Sequence, residues 1–386
     1  MKIQQIHIDN FRHLENLTLD FTYQSGEKKG LPLEKVCLIG QSAAGKTSIL
    51  EFIKEAISNI RDSKQMKGGK INLKYSQFSP DKFIFPIIDP VFYFQSEINS
   101  TIPQIKREHD FLNREQILTN FNMYLGTRFI EVNNIIKDAV WEYLLFDIIE
   151  YRRKLTQIGS DLVFKGLHSD IRKLEKEMSL WKKINPNPLI ELAEKCLNPI
   201  LKRLNLEVDV VDTSSYLPLK PIHADKPVPS TGLSTGTKQI LLSALPLYKL
   251  ETDNSIILMD EPERSLYPDL QIELMSYYQN LAPNAQFIVA THSPFIAAAF
   301  EPEERFILYF DENGKVQVRN GVSPIGDDPN DILRNDFELE FLMNQHGINA
   351  YKKYLNLKQQ MSEEQDVNKK KKLLKEVVEL GDNYKF

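Results

Sequence analysis

Cysteine is nearly absent, with Cys37 and Cys196 the only two in 386 residues. They stand far apart, no second pair completes a four-ligand metal site, and Cys37 lies in the apolar run VCLIG at 36–40, where a small buried hydrophobe is the usual reading. A disulfide-built scaffold is excluded, and a reducing cytoplasm is the expected compartment. An excess of positive charge is missing too. The 48 Lys and Arg against 53 Asp and Glu leave a net charge of −5, which excludes a globally basic nucleic-acid coat and confines any nucleic-acid site to one region. The opening residues MKIQQIHIDNFRHLENL never reach an apolar run long enough for a signal peptide or a spanning helix. Neither export nor a membrane partner is expected. There is no internal repeat, and no heptad runs for three or four turns, so a long coiled-coil arm is not supported. With 42% hydrophobic and 26% charged residues, the composition is that of a globular protein with a substantial core, not a collagen-like or wholly disordered chain.

Alternating apolar residues at 3–8 (IQQIHI) and 17–21 (LTLDF) predict two pairing strands, followed by the turn-rich QSGEKKG. The run KVCLIG at 35–40 then breaks into small residues and resumes as TSILEFIKEAISNI with helical spacing, giving buried strand, tight loop and helix. A second block of this kind comes late: SIILMD at 255–260, a helix from about Tyr267 to Leu281, QFIVAT at 286–291, and strands near 305–310 and 315–318. The intervening residues read as helical, with charged residues interleaved among Leu, Ile, Phe and Trp at 3–4 spacing and prolines at 186, 188 and 199 interrupting them. Beyond about Asn330, AYKKYLNLKQQM and KKKKLLKEVVEL are two amphipathic candidates split by SEEQDV, suited to a helical hairpin or to a partner-docking tail.

The strongest motif is Gly40-Gln41-Ser42-Ala43-Ala44-Gly45-Lys46-Thr47, which fits G-x-x-x-x-G-K-[ST] between a predicted strand and a predicted helix. Its glycines let the loop curl so that amides face a phosphate. The backbone of Gly40, Ala43, Ala44 and Gly45, with Ser48 at the helix start, would line ATP. Lys46 would reach the β- and γ-phosphates, and Thr47 would ligate Mg²⁺ at a helix end that carries partial positive charge. The second motif is SIILMDE at 255–261, an apolar strand ending in two carboxylates. Such a strand belongs in mid-sheet, so Asp260 and Glu261 emerge at its carboxyl edge, where open α/β sheets bind ligands. Asp260 would hold Mg²⁺ through water, and Glu261 would be the general base for the attacking water. Alone, a strand ending in Asp-Glu is commonplace; the phosphate loop gives the pair its meaning.

The third motif, Leu233-Ser234-Thr235-Gly236-Thr237-Lys238-Gln239, reads LS-x-G-x-x-Q, and its Ser234 stands 26 residues before Asp260. It resembles the signature of ABC-type ATPases, although by itself LSTGT also suits a plain helix cap. The resemblance implies that Ser234 and Gly236 complete the ATP site of an opposite protomer, so hydrolysis requires a homodimer. It further implies that Gln95, ending VFYFQ, is the glutamine that touches the metal and the attacking water, and that His292 in FIVATHSP is the switch histidine at the γ-phosphate. The opening IHIDNFRHLENLTLDF resembles the RecF, SMC and OLD group of DNA-linked ABC ATPases, in which the Arg of NFR, here Arg12, approaches the nucleotide. The run DEPERSLYPDLQ with THSP looks most like the ATPases of the OLD group and of anti-phage systems of the Septu PtuA type. Those usually carry His-Pro where this chain has Tyr267-Pro268.

The expected fold is therefore α/β, an ABC-type P-loop NTPase core with a mixed sheet flanked by helices. That core is discontinuous, over 1–95 and 231–325, with an all-helical insertion over 96–230 and a helical tail over 326–386. A TOPRIM nuclease of the OLD kind is not expected, since 94 residues follow His292 and the acidic DDPND at 327–331 reads as a turn. The expected function is an Mg²⁺-dependent ATPase that dimerises around ATP and regulates a separate effector, a nuclease of HNH or TOPRIM type, in anti-phage defence. A RecF-like DNA clamp and a nucleotide-gated scaffold with little hydrolysis are the alternatives. DNA is a further candidate partner: RDSKQMKGGKINLK at 61–74 holds five Lys or Arg against one Asp and could touch phosphate, or it is a solvated loop.

Overall fold

The computed structural model describes residues 1–61, 68–74, 90–95, 119, 129–132, 134–165, 170–213, 215, 217–224 and 226–386. Residues 62–67 of the basic stretch at 61–74, and residues 96–118 of the expected insertion, lie outside the described residues. In chain order the strands are β1 (Lys2–Phe11), β2 (Leu14–Asp20), β3 (Lys35–Gly40), β4 (Gly69–Lys74), β5 (Val91–Phe94), β6 (Phe129–Glu131), β7 (Leu206–Val208), β8 (Leu219–Pro221), β9 (Ile256–Asp260), β10 (Gln286–Ala290), β11 (Arg305–Phe310) and β12 (Val316–Asn320). The main helices are α1 (Lys46–Arg61), α2 (Asn134–Phe164), α3 (Ile171–Ile184), α4 (Thr235–Lys249), α5 (Pro268–Leu281), α6 (Gln345–Glu363) and α7 (Val367–Tyr384).

A seven-stranded sheet in the order β12-β11-β3-β10-β9-β5-β6 is parallel except for β12. Its central strands are buried on both faces, which is why they read as unbroken apolar runs. Alternate residues serve two cores. Val36, Leu38, Ile256, Leu258 and Ile288 join α1 and the antiparallel sheet on one face, while Cys37, Ile39, Ile257, Met259, Phe287 and Val289 join α2, α4 and α5 on the other. Helix α1 buries Ile49, Leu50, Phe52, Ile53, Ala56 and Ile57, and each of the larger side chains contributes about 1.5–3 kcal/mol by leaving water.

The second sheet, β2-β1-β4, is antiparallel and contains both predicted opening strands. A buried glutamine fastens it to the main sheet. The Gln286 Nε2 donates to the Ile3 and Leu33 carbonyls at 3.0 and 2.8 Å, and its Oε1 accepts the Ile3 amide at 2.7 Å. The whole side-chain amide is thus satisfied inside the protein, and the antiparallel sheet is tied to the start of β10 and to the residues that precede β3.

The stretch expected to be all-helical is not. The three residues of β6 extend the parallel sheet beyond β5, and β7 and β8 form a small antiparallel pair. Segments this short carry too few residues to show a period of two. The DDPND run also departs from a plain turn: Asp328 caps a short helix, Pro329–Asn335, by accepting the Asn330 amide. At the C-terminus α6 and α7 form the helical hairpin, burying Leu357 and Val377 between them. Among the described residues no helix is long and apolar enough to cross a membrane.

Candidate functional site

The loop between β3 and α1 is built on backbone that few side chains tolerate. Gly40, Ala43 and Gly45 have φ of 150°, 66° and 99°. A Cβ on Gly40 would stand 2.4 Å from the Leu308 carbonyl oxygen, and one on Gly45 would stand 2.6 Å from Leu14 Cδ2, so close neighbours as well as dihedrals demand glycine at both. Ala43 holds the left-handed region at a cost of about 1–2 kcal/mol, strain of the kind stored in functional loops. Helix α1 begins at once, with Ala44, Lys46 and Ser48 buried. The Lys46 ammonium donates to the carbonyls of Gly40 and Gln41 at 2.8 and 3.1 Å. Burial pulls its pKa down, opposed by the carboxylates of Glu261, Asp260 and Glu263.

Strand β9 delivers the two carboxylates beside this loop. The Thr47 hydroxyl lies 3.1 Å from both Asp260 oxygens. Burial pushes the Asp260 carboxyl up to about 6; the Thr47 hydrogen bond lowers it, Glu261 raises it and Lys46 lowers it. Glu261 turns the chain through a left-handed conformation with φ of 48°, and its amide donates to the Ala290 carbonyl at 2.8 Å. Its carboxylate stands 3.7 Å from His292 Nε2 and 3.9 Å from Arg264, and the Arg264 contact is one of opposite charges. His292 follows β10, and its pKa is lowered by burial and by Lys46, against the pull of Glu261, which leaves the imidazole neutral at pH 7. The phosphate loop, Asp260, Glu261 and His292 thus converge at the carboxyl ends of three neighbouring strands, β3, β10 and β9.

The other expected residues lie further out. Gln95 directly follows β5 and lines a narrow cleft with Asp260, Met259, Gln239 and Ser243; its amide donates to Glu131 on β6, which also pairs with Lys54 at 2.8 Å. Arg12, at the β1–β2 turn with φ of 58°, is engaged by Glu51 of α1. Ser234 caps α4, accepting the Thr237 amide at 3.1 Å. Gly236 is buried where a Cβ would stand 2.5 Å from the Ser265 carbonyl oxygen. The start of α4 therefore packs on the loop that follows Glu261.

Two carboxylates at the site escape sequence reasoning. Glu131 lies on a strand too short to notice. Glu263 is 9% exposed and accepts hydrogen bonds from the Thr291 hydroxyl and the His292 amide. Only the run D-E-P-E, with a third carboxylate close behind an apolar strand, hints at it.

An AAA ATPase domain matches residues 95–297, which is 203 of the 386 residues. The chain belongs to this AAA ATPase domain family. The matched span carries Asp260, Glu261, His292 and the α4 signature, while the phosphate loop at 40–47 precedes it. Among curated proteins, the Septu protein PtuA of Bacillus thuringiensis is 24% identical over 341 residues, 82% of this chain and 78% of that protein. The Septu protein PtuA of Bacillus mycoides is 23% identical over 329 residues, 78% of this chain and 41% of that longer protein. Among solved structures, an Smc head bound to the C-winged helix domain of ScpA aligns over 83% of this chain and 97% of its own, at 12% identity and a TM-score of 0.41.

Proposed function

We propose that the chain is an Mg²⁺-dependent ATPase of the ABC type that dimerises around ATP and regulates a separate effector, a nuclease of HNH or TOPRIM class, in anti-phage defence. The observation that carries the ATPase reading is the convergence of Lys46 and Thr47 with Asp260, Glu261 and His292 at one sheet edge. The donor set fits the expected ligand. Among the described residues no group of three or more His, Cys, Asp or Glu is poised to hold a metal alone. The Thr47 hydroxyl and Asp260 carboxylate are the hard oxygen pair that Mg²⁺ accepts when phosphate oxygens and water complete its shell. Bound Mg²⁺-ATP supplies an electrophilic γ-phosphorus and a leaving group whose charge the metal offsets.

The chain's own residues divide the remaining work. Lys46 exchanges loop carbonyls for phosphate oxygens, a charge-assisted gain over neutral acceptors. Glu261 accepts the proton of the attacking water, and the neutral His292 beside it orients that water and the γ-phosphate. Ser234 and the amides at the start of α4 serve the partner protomer's nucleotide. The effector and the defence role rest on the likeness to the Septu relatives.

The test compares wild type with Lys46→Ala and Glu261→Gln. Lys46→Ala should weaken ATP binding by about tenfold or more, the loss expected of a charged contact worth about 1.5–3 kcal/mol. Glu261→Gln should abolish phosphate release and accumulate a nucleotide-bound dimer. Unaltered affinity in the first variant removes the phosphate-loop assignment. Activity that survives Glu261→Gln favours the scaffold, and DNA alone stimulating turnover favours the clamp. Co-purification with the product of a neighbouring nuclease gene tests the effector.

A further inference from the structure

Behind the groups that face the nucleotide runs a second layer of hydrogen bonds. Glu263 Oε1 accepts the Thr291 hydroxyl at 2.6 Å and the His292 amide at 2.9 Å. The Thr291 hydroxyl oxygen accepts the Ser293 amide at 2.9 Å. The Ser293 hydroxyl donates to Gln271 Oε1 at 2.6 Å, and the Gln271 side-chain amide donates to the Leu266 carbonyl at 2.8 Å. The path leaves the 261–266 loop at Glu263, crosses the three residues around His292, and returns to the same loop at Leu266, whose amide donates to the Glu263 carbonyl at 3.0 Å. It closes on itself.

A carboxylate is an expensive way to fill this space. Glu263 is nearly buried and its second oxygen, Oε2, has no hydrogen-bond partner, so an apolar side chain of similar volume would spare the desolvation. Both bonds that Oε1 makes land on the residues that set the position of one imidazole. We infer that Glu263 is a positioning residue for ATP hydrolysis, holding His292 against Glu261 through the Thr291 hydroxyl and the His292 amide. The inference rests on the ATPase reading and deepens it. Glu263 acts through His292, and the Gln271–Ser293 bond braces the segment from the other side.

The test uses the full chain with Mg²⁺ and ATP for turnover, and Mg²⁺ with a non-hydrolysable ATP analogue for affinity. Glu263→Ala should lower kcat by about 10- to 100-fold, the usual cost of losing a group that orients a reacting one. The analogue's Kd should stay within about threefold, because the phosphate-loop contacts are untouched. Glu263→Gln keeps an acceptor oxygen for both donors and should recover most of that loss. The double variant Glu263→Ala/His292→Ala should be no slower than His292→Ala alone, since a group that acts only through His292 has nothing left to position. If Glu263→Ala does not fold, Thr291→Val, which at nearly constant volume removes the bond donated to Glu263 and the one accepted from the Ser293 amide, should show the same split between kcat and Kd.

Undiminished kcat in Glu263→Ala, or losses that multiply in the double variant, would overturn the inference while leaving the ATPase reading in place. Wild type without Lys46-dependent hydrolysis would overturn both.

Discussion

Asp260 joins a half-buried carboxyl to a role that needs its charge. Its native pKa of about 6 lies above the ordinary aspartate value of about 3.9 expected in the unfolded chain. Above pH 6 the group is ionised in both states, and the native state bears the full cost of a poorly solvated charge. As pH falls through 6 the native state takes up the proton first, so the cost is relieved between about pH 6 and pH 4. Asp260→Asn removes the charge yet keeps an oxygen for Thr47. Thermal melts of ligand-free protein should therefore show the variant's Tm exceeding wild type by more at about pH 8 than at about pH 5, and equal gaps at both would refute the assignment. The same substitution should abolish the extra stability conferred by Mg²⁺ with nucleotide. The placement of Lys46, Thr47, Asp260 and Glu261 at one sheet edge was legible because each sits in a contiguous motif whose spacing implies strand, loop and helix. Glu263 and Glu131 were not, because their partners lie 28 and 36 residues away in sequence and only folding joins them. Arg12 was assigned by resemblance, and the structure places it on Glu51.

Between elements, and among the described residues, the most deeply buried ion pair is Arg305–Asp336, 3.0 Å apart with neither side chain exposed. Arg305 opens β11, next to β3 in the sheet, and Asp336 follows the short helix that leads toward α6. The Asp336 Oδ1 also accepts the Val322 amide at 2.9 Å. A Cβ on Gly321 would stand 2.6 Å from Arg305 Nε, so that position is glycine to admit the guanidinium. Asp336→Ala strands a buried cation and should destabilise the protein by about 3–5 kcal/mol, whereas replacing both partners by apolar residues of similar size should recover much of the loss. Denaturant midpoints for the single and double variants would decide it; a single variant as stable as wild type would show that the pair is not needed. This pair was illegible in the sequence, since Arg305 stands in an otherwise apolar strand and nothing in its pattern names a partner 31 residues on. The strands themselves were plain: uninterrupted runs such as VCLI and IILM signal burial on both faces. Strands β6, β7 and β8, three residues each, were lost within a stretch whose composition reads as helical.

The molecule as a whole is tied together by its strand order. Strand β3, from the N-terminal part, lies between β10 and β11 from the C-terminal part, so the edge that carries the phosphate loop and the two carboxylates exists only when both parts of the chain have folded together. The phosphate loop and the α4 signature play different parts on that edge. Lys46 is buried at the loop, while Ser234 is exposed at the end of a helix whose Gly236 packs on the turn after Glu261. An exposed helix start with one side chain spent on its own cap suits an anion brought from outside. If that anion is the γ-phosphate on a second copy, each site takes its loop from one protomer and its signature from the other. Lys46→Ala and Ser234→Arg homodimers should then both be inactive, for opposite reasons. Mixed protomers should regain activity: every heterodimer combines both lesions in one site and leaves the other intact. Random pairing makes heterodimers about half of the population with one working site in two, so about a quarter of wild-type turnover should return. Loop and signature acting within one chain would return none, and subunit-exchange ATPase assays separate the two outcomes.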